Sequence, residues 1–138
     1  MGELSVDLKK NSFLRRRFQT NILIVDDSAT MRKIVTRSLR EAGLAVGEIY
    51  EAGNGIEALS VLASGKEIHL ILSDVNMPEM DGVEFVKVAR SKGINTPIVM
   101  ITTETEDILN QAFENGALTS IKKPFTAEQL NQKLGGLF

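Results

Sequence analysis

From residue 21 onward, short apolar runs alternate with segments of helical periodicity. The runs "NILIVD" (21–26), "IHLILSD" (68–74) and "PIVMIT" (97–102) are apolar without alternation, which is typical of strands buried on both faces. Weaker strands are predicted at "EIYEA" (48–52) and "LTSIK" (118–122). The helical segments lie between and after these strands, at 28–43, 55–65, 83–93, 106–116 and 126–136. Five strand–helix units in this order predict an α/β fold, a doubly wound five-stranded parallel sheet with helices on both faces.

Length and cysteine content narrow the class of protein. The chain has 138 residues, which suits one domain. It has no cysteine, so disulfides and thiolate metal sites are excluded and a reduced, cytoplasmic compartment is expected. No apolar run is long enough to cross a bilayer, and residues 1–20 lack the apolar core of a signal peptide.

The net charge of −2 is unevenly distributed. Residues 1–20 carry five basic and two acidic side chains, whereas residues 21–138 carry eleven basic and sixteen acidic ones. An acidic body argues against nucleic-acid binding by the domain. One basic cluster without a second anchor binds membranes only weakly, so no membrane partner is expected. We therefore divide the chain into a basic N-terminal extension (1–20) and one domain (21–138).

Polar residues follow four of the predicted strands. Asp26 and Asp27 end the first strand, Asp74 the third, Thr102 the fourth and Lys123 the fifth. The carboxyl ends of parallel strands meet at one edge of the sheet, so we expect these side chains to converge there. Three neighbouring carboxylates repel one another unless a cation intervenes. Oxygen ligands with no His or Cys nearby suit Mg²⁺.

A magnesium site with a lysine and a hydroxyl suggests phosphoryl chemistry, because Mg²⁺ usually shares its site with a phosphate. Neither GxxxxGK[ST] nor GxGxxG occurs, so no bound nucleotide is expected. A carboxylate nucleophile that forms an acyl phosphate is the consistent alternative. Each residue alone also fits an ordinary role as helix cap, turn or loop acid, but their coincidence at four strand ends favours a site. His69, near the start of strand three, is expected to be structural.

Four motifs resemble those of one known family. The segments "ILIVDDSATMRKIV", "SDVNMPEMDG", "VMITTE" and "KKPFTAEQL" resemble the receiver domain of two-component response regulators, in particular its CheY-like members. The resemblance covers roughly residues 21–135 and implies a flavodoxin-like (βα)₅ fold with strand order 2-1-3-4-5. It further implies that Asp74 accepts a phosphoryl group from the phosphohistidine of a sensor histidine kinase. Thr102 and Lys123 would contact that group, and the Lys123–Pro124 peptide bond is expected to be cis.

The resemblance also implies a ligand set for the metal. Mg²⁺ would be bound by Asp27, Asp74 and the backbone carbonyl of Asn76, with Asp26 acting through water. Asn76 and Glu104 occupy positions that influence dephosphorylation in this family, and their types imply a short-lived phosphorylated state. Such a protein is not an enzyme in the ordinary sense, since it catalyses only its own phosphorylation and dephosphorylation.

Output in this family passes through the face formed by helix four, strand five and helix five, which binds a downstream protein. The family often has an aromatic residue three positions before the lysine, whereas this chain has Ser120. A serine cannot fill the same pocket, so the aromatic part of the switch is in question.

Two other readings stay open at the level of sequence. The first is an aspartyl-phosphate phosphatase, although haloacid dehalogenase-like enzymes usually place the nucleophile in a DxD pattern after strand one and add a cap domain. The second is a receiver fragment of a longer multidomain regulator.

Overall fold

The computed structural model describes residues 19–138, so all but the last two residues of the predicted N-terminal extension (1–20) lie outside the described residues. Within this range strands and helices alternate. The strands are β1 (Thr20–Val25), β2 (Val46–Ala52), β3 (Leu70–Ser73), β4 (Ile98–Thr102) and β5 (Thr119–Lys122). The α-helices are α1 (Ala29–Glu41), α2 (Gly55–Ala63), α3 (Gly82–Ser91), α4 (Glu106–Glu114) and α5 (Ala127–Leu134), and a 3₁₀ turn follows at Gly135–Leu137. No helix in the described part of the chain is long and apolar enough to span a membrane.

The five strands form one parallel sheet in the order β2-β1-β3-β4-β5. This confirms the predicted doubly wound, flavodoxin-like arrangement. The strand ends are in register, since Val25 of β1 is paired with Ala52 of β2 and with Ser73 of β3. On the other side of the sheet, Thr102 of β4 is paired with Lys122 of β5. The carboxyl ends of the strands therefore open onto one edge, as a parallel sheet requires.

The sheet separates two apolar layers, which explains the unbroken apolar runs of the sequence. Along β1, Leu23 and Val25 face one layer while Ile22 and Ile24 face the other. The first layer is covered by α2, α3 and α4 and contains the largest buried side chain, Phe85, which is fully buried. The second layer is covered by α1 and α5. Both faces of the central strands are thus removed from water, and this burial is the main source of stability.

Four helices end two residues before a glycine that the periodicity had included in the helix. Gly43, Gly65, Gly93 and Gly116 have φ values of 77°, 86°, 79° and 114°. Such a left-handed conformation ends an α-helix, and glycine adopts it without strain. The helices α1 to α4 therefore end just before these glycines and are shorter than the segments predicted from the periodicity.

His69 lies at the amino end of the sheet, away from the strand ends that carry the candidate site. Its Nδ1 accepts a hydrogen bond of 2.9 Å from the backbone N–H of Asn21, and its Nε2 lies 3.0 Å from the Glu67 carboxylate. The Asn21 side chain joins β1 to β2 by accepting from the Glu48 N–H, and to the segment before β3 by donating to the Glu67 carbonyl. His69 thus has the structural role predicted for it.

Candidate functional site

Three candidate residues lie directly after strand ends, and their own backbone groups extend the sheet. The N–H of Asp26 donates to the last carbonyl of β2 at 3.0 Å, and the N–H of Asp74 donates to the last carbonyl of β1 at 2.9 Å. The N–H of Lys123 likewise donates to the last carbonyl of β4 at 3.0 Å. Because the main chain at each position is held by a neighbouring strand, these side chains start from fixed points on one edge.

Three carboxylates converge at this edge. Asp26, Asp27 and Asp74 each place a carboxylate oxygen within 4.8 Å of the others. Asp26 is only 5% exposed, whereas Asp74 is partly buried and Asp27 is exposed. One oxygen of Asp26 accepts from the Ser28 N–H at 2.9 Å, and one oxygen of Asp74 accepts from the Val75 N–H at 2.7 Å. The cluster is therefore anchored at its base and open to solvent through Asp27.

Lys123 supplies the positive charge that the cluster needs. Its Nζ lies 3.0 Å from Asp26 Oδ2 and 3.0 Å from Asp74 Oδ2, and its side chain is 15% exposed. Burial alone would lower the pKa of Lys123, but the hydrogen bonds and charges of Asp74 and Asp26 outweigh it and raise that pKa. Lys123 therefore stays protonated at neutral pH.

The donor set fits Mg²⁺. Three acids and one ammonium leave a formal charge of −2, which a divalent cation balances. The cluster offers only oxygen ligands, and the single histidine of the chain lies at the other end of the sheet. Hard oxygen ligands of this kind suit Mg²⁺ better than zinc or copper.

Thr102 and Asn76 contact Glu104, and within residues 19–138 neither is hydrogen-bonded to the three aspartates. Thr102 is 2% exposed, and its Oγ1 accepts a hydrogen bond of 3.2 Å from the Glu104 N–H. The side-chain amide of Asn76 donates to the Glu104 carboxylate. These three residues form a second polar group at the same edge, which joins the end of β4 to the loop after β3.

The loop after β3 folds back tightly against Asp74. The Gly82 N–H donates to the Val75 carbonyl at 2.7 Å, and a Cβ at Gly82 would lie 2.1 Å from the Asp74 carbonyl oxygen. Asp81 caps α3 by accepting from the Glu84 N–H at 2.9 Å. The loop ends at Asp81-Gly82, and a glycine is needed at this second position because a Cβ would overlap the Asp74 carbonyl. The Lys123–Pro124 peptide bond is cis, as the resemblance implied.

One contact escaped the sequence reasoning. Arg32, on the first turn and a half of α1, donates through Nη1 to the Asp26 carbonyl at 2.6 Å. Its Nε donates to the Glu51 carboxylate at 2.9 Å. In the sequence, Arg32 is only a basic residue six positions after Asp26. Nothing in the sequence distinguishes it from an exposed residue of the helix.

The fold agrees with comparisons to known proteins. A family model described as the response regulator receiver domain matches residues 22–135, and the chain belongs to that family. The chemotaxis protein CheY homolog of Campylobacter jejuni strain 81-176 is 38% identical over 117 residues, which are 82% of this chain and 88% of that protein.

The chain is also similar in fold and sequence to solved structures. It is similar to chemotaxis protein CheY4 of Vibrio cholerae, with a TM-score of 0.75 and 38% identity over 87% of this chain and 99% of that one. The receiver domain of the Francisella response regulator 1452 has a TM-score of 0.73 and 25% identity, over 86% of this chain and 96% of that one. The chain is therefore a CheY-like receiver domain, and a haloacid dehalogenase-like phosphatase is not favoured.

Proposed function

We propose that Asp74 accepts a phosphoryl group from the phosphohistidine of a sensor histidine kinase in the presence of Mg²⁺. The observation that carries this is the Lys123 ammonium, held 3.0 Å from both Asp74 and Asp26. In the transfer, a carboxylate oxygen of Asp74 bonds to phosphorus while the P–N bond breaks, and the imidazole nitrogen keeps the electron pair. Asp26 keeps Lys123 at the edge of the sheet, so its charge is in place for the phosphoryl oxygens.

The ligands we propose for Mg²⁺ are Asp27, Asp74 and the Asn76 carbonyl, with Asp26 acting through water. A bound Mg²⁺ would neutralise charge on the phosphoryl oxygens. The protein's part is to hold the acids together: Asp26 through the sheet and Asp74 through its own N–H and that of Val75.

Phosphorylation is proposed to act as a switch through Thr102. Its hydroxyl oxygen now accepts from the Glu104 N–H, so the hydroxyl proton is available for a phosphoryl oxygen. A phosphoryl group adds up to about two negative charges and three acceptor oxygens, which is enough to bias a loop between two conformations. Movement of Thr102 would then reorganise its contact with Glu104 at the start of the loop that leads to α4.

The proposed output surface is the face formed by α4, β5 and α5. At the junction of α4 and β5, Phe113 is 37% exposed and Leu118 is 55% exposed, although both are large apolar residues. Apolar side chains left exposed on this face are the kind of surface that a protein partner would cover. Ser120 in β5 leaves no aromatic ring to turn inward, so we expect this face to respond through Thr102 and the α4 loop.

The phosphorylated state is expected to be short-lived. Glu104 and Asn76 contact one another beside the acceptor loop, and these are the residue types expected from fast members of the family. Autodephosphorylation of Asp74 at a rate set partly by Asn76 and Glu104, a histidine kinase as phosphodonor and a cytoplasmic location are parts of the same proposal.

The test uses the full chain with Mg²⁺ and acetyl phosphate, followed by intact mass. Wild type should gain one phosphoryl group, and Asp74→Asn should gain none. Asp81→Asn is the matched control, because it removes an acid from the same loop while an asparagine still caps α3. The chain has no tryptophan, so beryllofluoride binding should be followed by NMR of backbone amides. A wild type that binds Mg²⁺ but neither gains mass nor changes its spectrum would refute the proposal.

A further inference from the structure

We propose that Arg32, braced by Glu51, is a positioning residue that sets the affinity of the site for Mg²⁺. It would do so by fixing the main chain between Asp26 and Asp27. This inference rests on the proposed function, because it concerns the same metal site.

Both backbone groups of Asp26 are held. Its N–H donates to the last carbonyl of β2 at 3.0 Å, and its carbonyl accepts from Arg32 Nη1 at 2.6 Å. That carbonyl belongs to the peptide group that leads into Asp27, so the Arg32 contact restricts rotation of this peptide plane. Rotation of the plane would redirect the Asp27 side chain.

Asp27 depends on this restraint because little else holds it. It is exposed, and none of the hydrogen bonds or ion pairs found within residues 19–138 involves its carboxylate. By contrast, Asp26 and Asp74 are each held by Lys123 and by a backbone N–H. The orientation of Asp27 therefore follows from the main chain, which is held on one side by Arg32 at the Asp26 carbonyl and on the other by the Ser28 N–H, which donates to Asp26 Oδ1.

The geometry requires an arginine. Arg32 uses Nε for the Glu51 carboxylate at 2.9 Å and Nη1 for the Asp26 carbonyl, and its side chain is only 19% exposed. The guanidinium is a rigid plane, so the pairing at Nε aims Nη1 at the carbonyl. A lysine has one compact charge on a flexible stem and cannot reproduce both contacts with the same rigidity.

Removal of Arg32 would change the affinity for Mg²⁺ in opposite directions, depending on whether Arg32 acts as a charge or as a positioning residue. This difference makes the inference testable. If Arg32 acted only as a nearby cation, it would repel Mg²⁺ and its removal would strengthen binding. If it positions Asp27, its removal weakens binding. Loss of an outer-shell partner typically weakens metal affinity 10- to 100-fold, and because this contact reaches one ligand through the main chain we expect about tenfold.

The experiment compares Arg32→Gln, Arg32→Lys and Glu51→Ala with wild type as full-length proteins. Arg37→Gln is the control, because Arg37 is an exposed residue on the same helix and its substitution removes the same charge. Mg²⁺ dissociation constants are measured by calorimetry, and the free energy of unfolding is measured in urea without metal. Arg32→Gln should raise the dissociation constant about tenfold, with Arg32→Lys between it and wild type. Glu51→Ala should raise it about threefold, the effect of one hydrogen bond, and Arg37→Gln should not raise it.

Two further measurements separate positioning from general loss of structure. In acetyl phosphate assays, Arg32→Gln should need more Mg²⁺ for half-maximal rate yet approach the wild-type rate at saturation, because Asp74 and Lys123 are intact. Without metal, the Ser28 amide, which donates to Asp26 Oδ1, should exchange faster with solvent in the variant.

The inference is overturned if wild type binds Mg²⁺ and Arg32→Gln binds it equally well or more tightly. If Arg32→Gln does not fold, the decision passes to Arg32→Lys and Glu51→Ala, and unchanged affinity in both overturns it. If wild type neither binds Mg²⁺ nor is phosphorylated, the proposed function itself is wrong and this inference falls with it. If wild type binds Mg²⁺ but is not phosphorylated, only the phosphoryl-transfer proposal fails, and the affinity comparison still decides the role of Arg32.

Discussion

Gly82→Ala should disturb the acceptor loop more than its small size suggests. The added Cβ would lie 2.1 Å from the Asp74 carbonyl oxygen and 2.9 Å from the Val75 Cα, whereas ordinary contacts begin at 3.4 Å. Both atoms are backbone, so no rotamer change relieves the overlap, and α3 must move away from β3. Overpacking typically costs about 1–3 kcal/mol, and backbone neighbours place this case near the upper end. Strain on the hydrogen bond from Gly82 to Val75 adds about 1 kcal/mol.

We therefore expect the free energy of unfolding to fall by about 3 kcal/mol, after a small gain from alanine at a helical position. Urea unfolding followed by far-ultraviolet circular dichroism, without Mg²⁺, measures this change. Phosphorylation by acetyl phosphate should also slow, because the shift moves Asp74 relative to Lys123. Gly136→Ala is the control, because a Cβ there meets no atom within 4 Å. If Gly82→Ala were as stable as this control and were phosphorylated at the wild-type rate, the described packing of α3 against Asp74 would be wrong.

Three further predictions concern the charges and the cap around this edge. The pKa of Lys123 is raised above its usual 10.5, so its contribution to stability is fully present below that pH and is lost as pH rises through the raised pKa. Urea unfolding should thus show an alkaline loss of stability that Lys123→Met reduces and Lys122→Met does not. Without metal, Asp27→Asn should raise the free energy of unfolding by up to about 1 kcal/mol by relieving repulsion, and added Mg²⁺ should stabilise it less than wild type. Asp81→Ala should lower the free energy of unfolding by about 1 kcal/mol through loss of the α3 cap, while Asp81→Asn should not; equal stabilities would contradict the capping role.

The fold was predictable because its strongest signals are local and independent of one another. The buried strands are apolar on both faces, and such strands are found mainly in parallel sheets that are covered on both sides. The sequence was less informative about which residues of each helix are buried. The helical spacing of Ile56, Leu59 and Leu62 predicts that they form the buried face of α2, but Ile56 is 52% exposed, and the buried residues of this helix are Gly55 and Ala58. The spacing of apolar residues shows that a helix has an apolar face. When that face is wide, the spacing does not show which of its residues pack against the sheet.

Strand order came from the family resemblance and not from the residues. The alternation of strands and helices required a parallel sheet, yet several orders satisfy right-handed crossovers. The observed order β2-β1-β3-β4-β5 puts β1 and β3 side by side, which brings Asp26 and Asp74 together. An order that separated β1 from β3 would have kept every strand and helix while dispersing the carboxylates.

The site divides into residues whose position follows from the backbone and residues whose position depends on side-chain reach. Asp26, Asp74 and Lys123 each come directly after a strand, and each N–H pairs with the last carbonyl of the neighbouring strand. Knowing the strands and their order was therefore sufficient to bring these three together. Arg32 reaches the same edge from α1 with a long side chain. Its target is a backbone carbonyl, which is a group that every residue has. Only the side-chain conformation of Arg32 selects that target, so the contact leaves no pattern in the sequence, although it comes from a helix that begins beside a strand end.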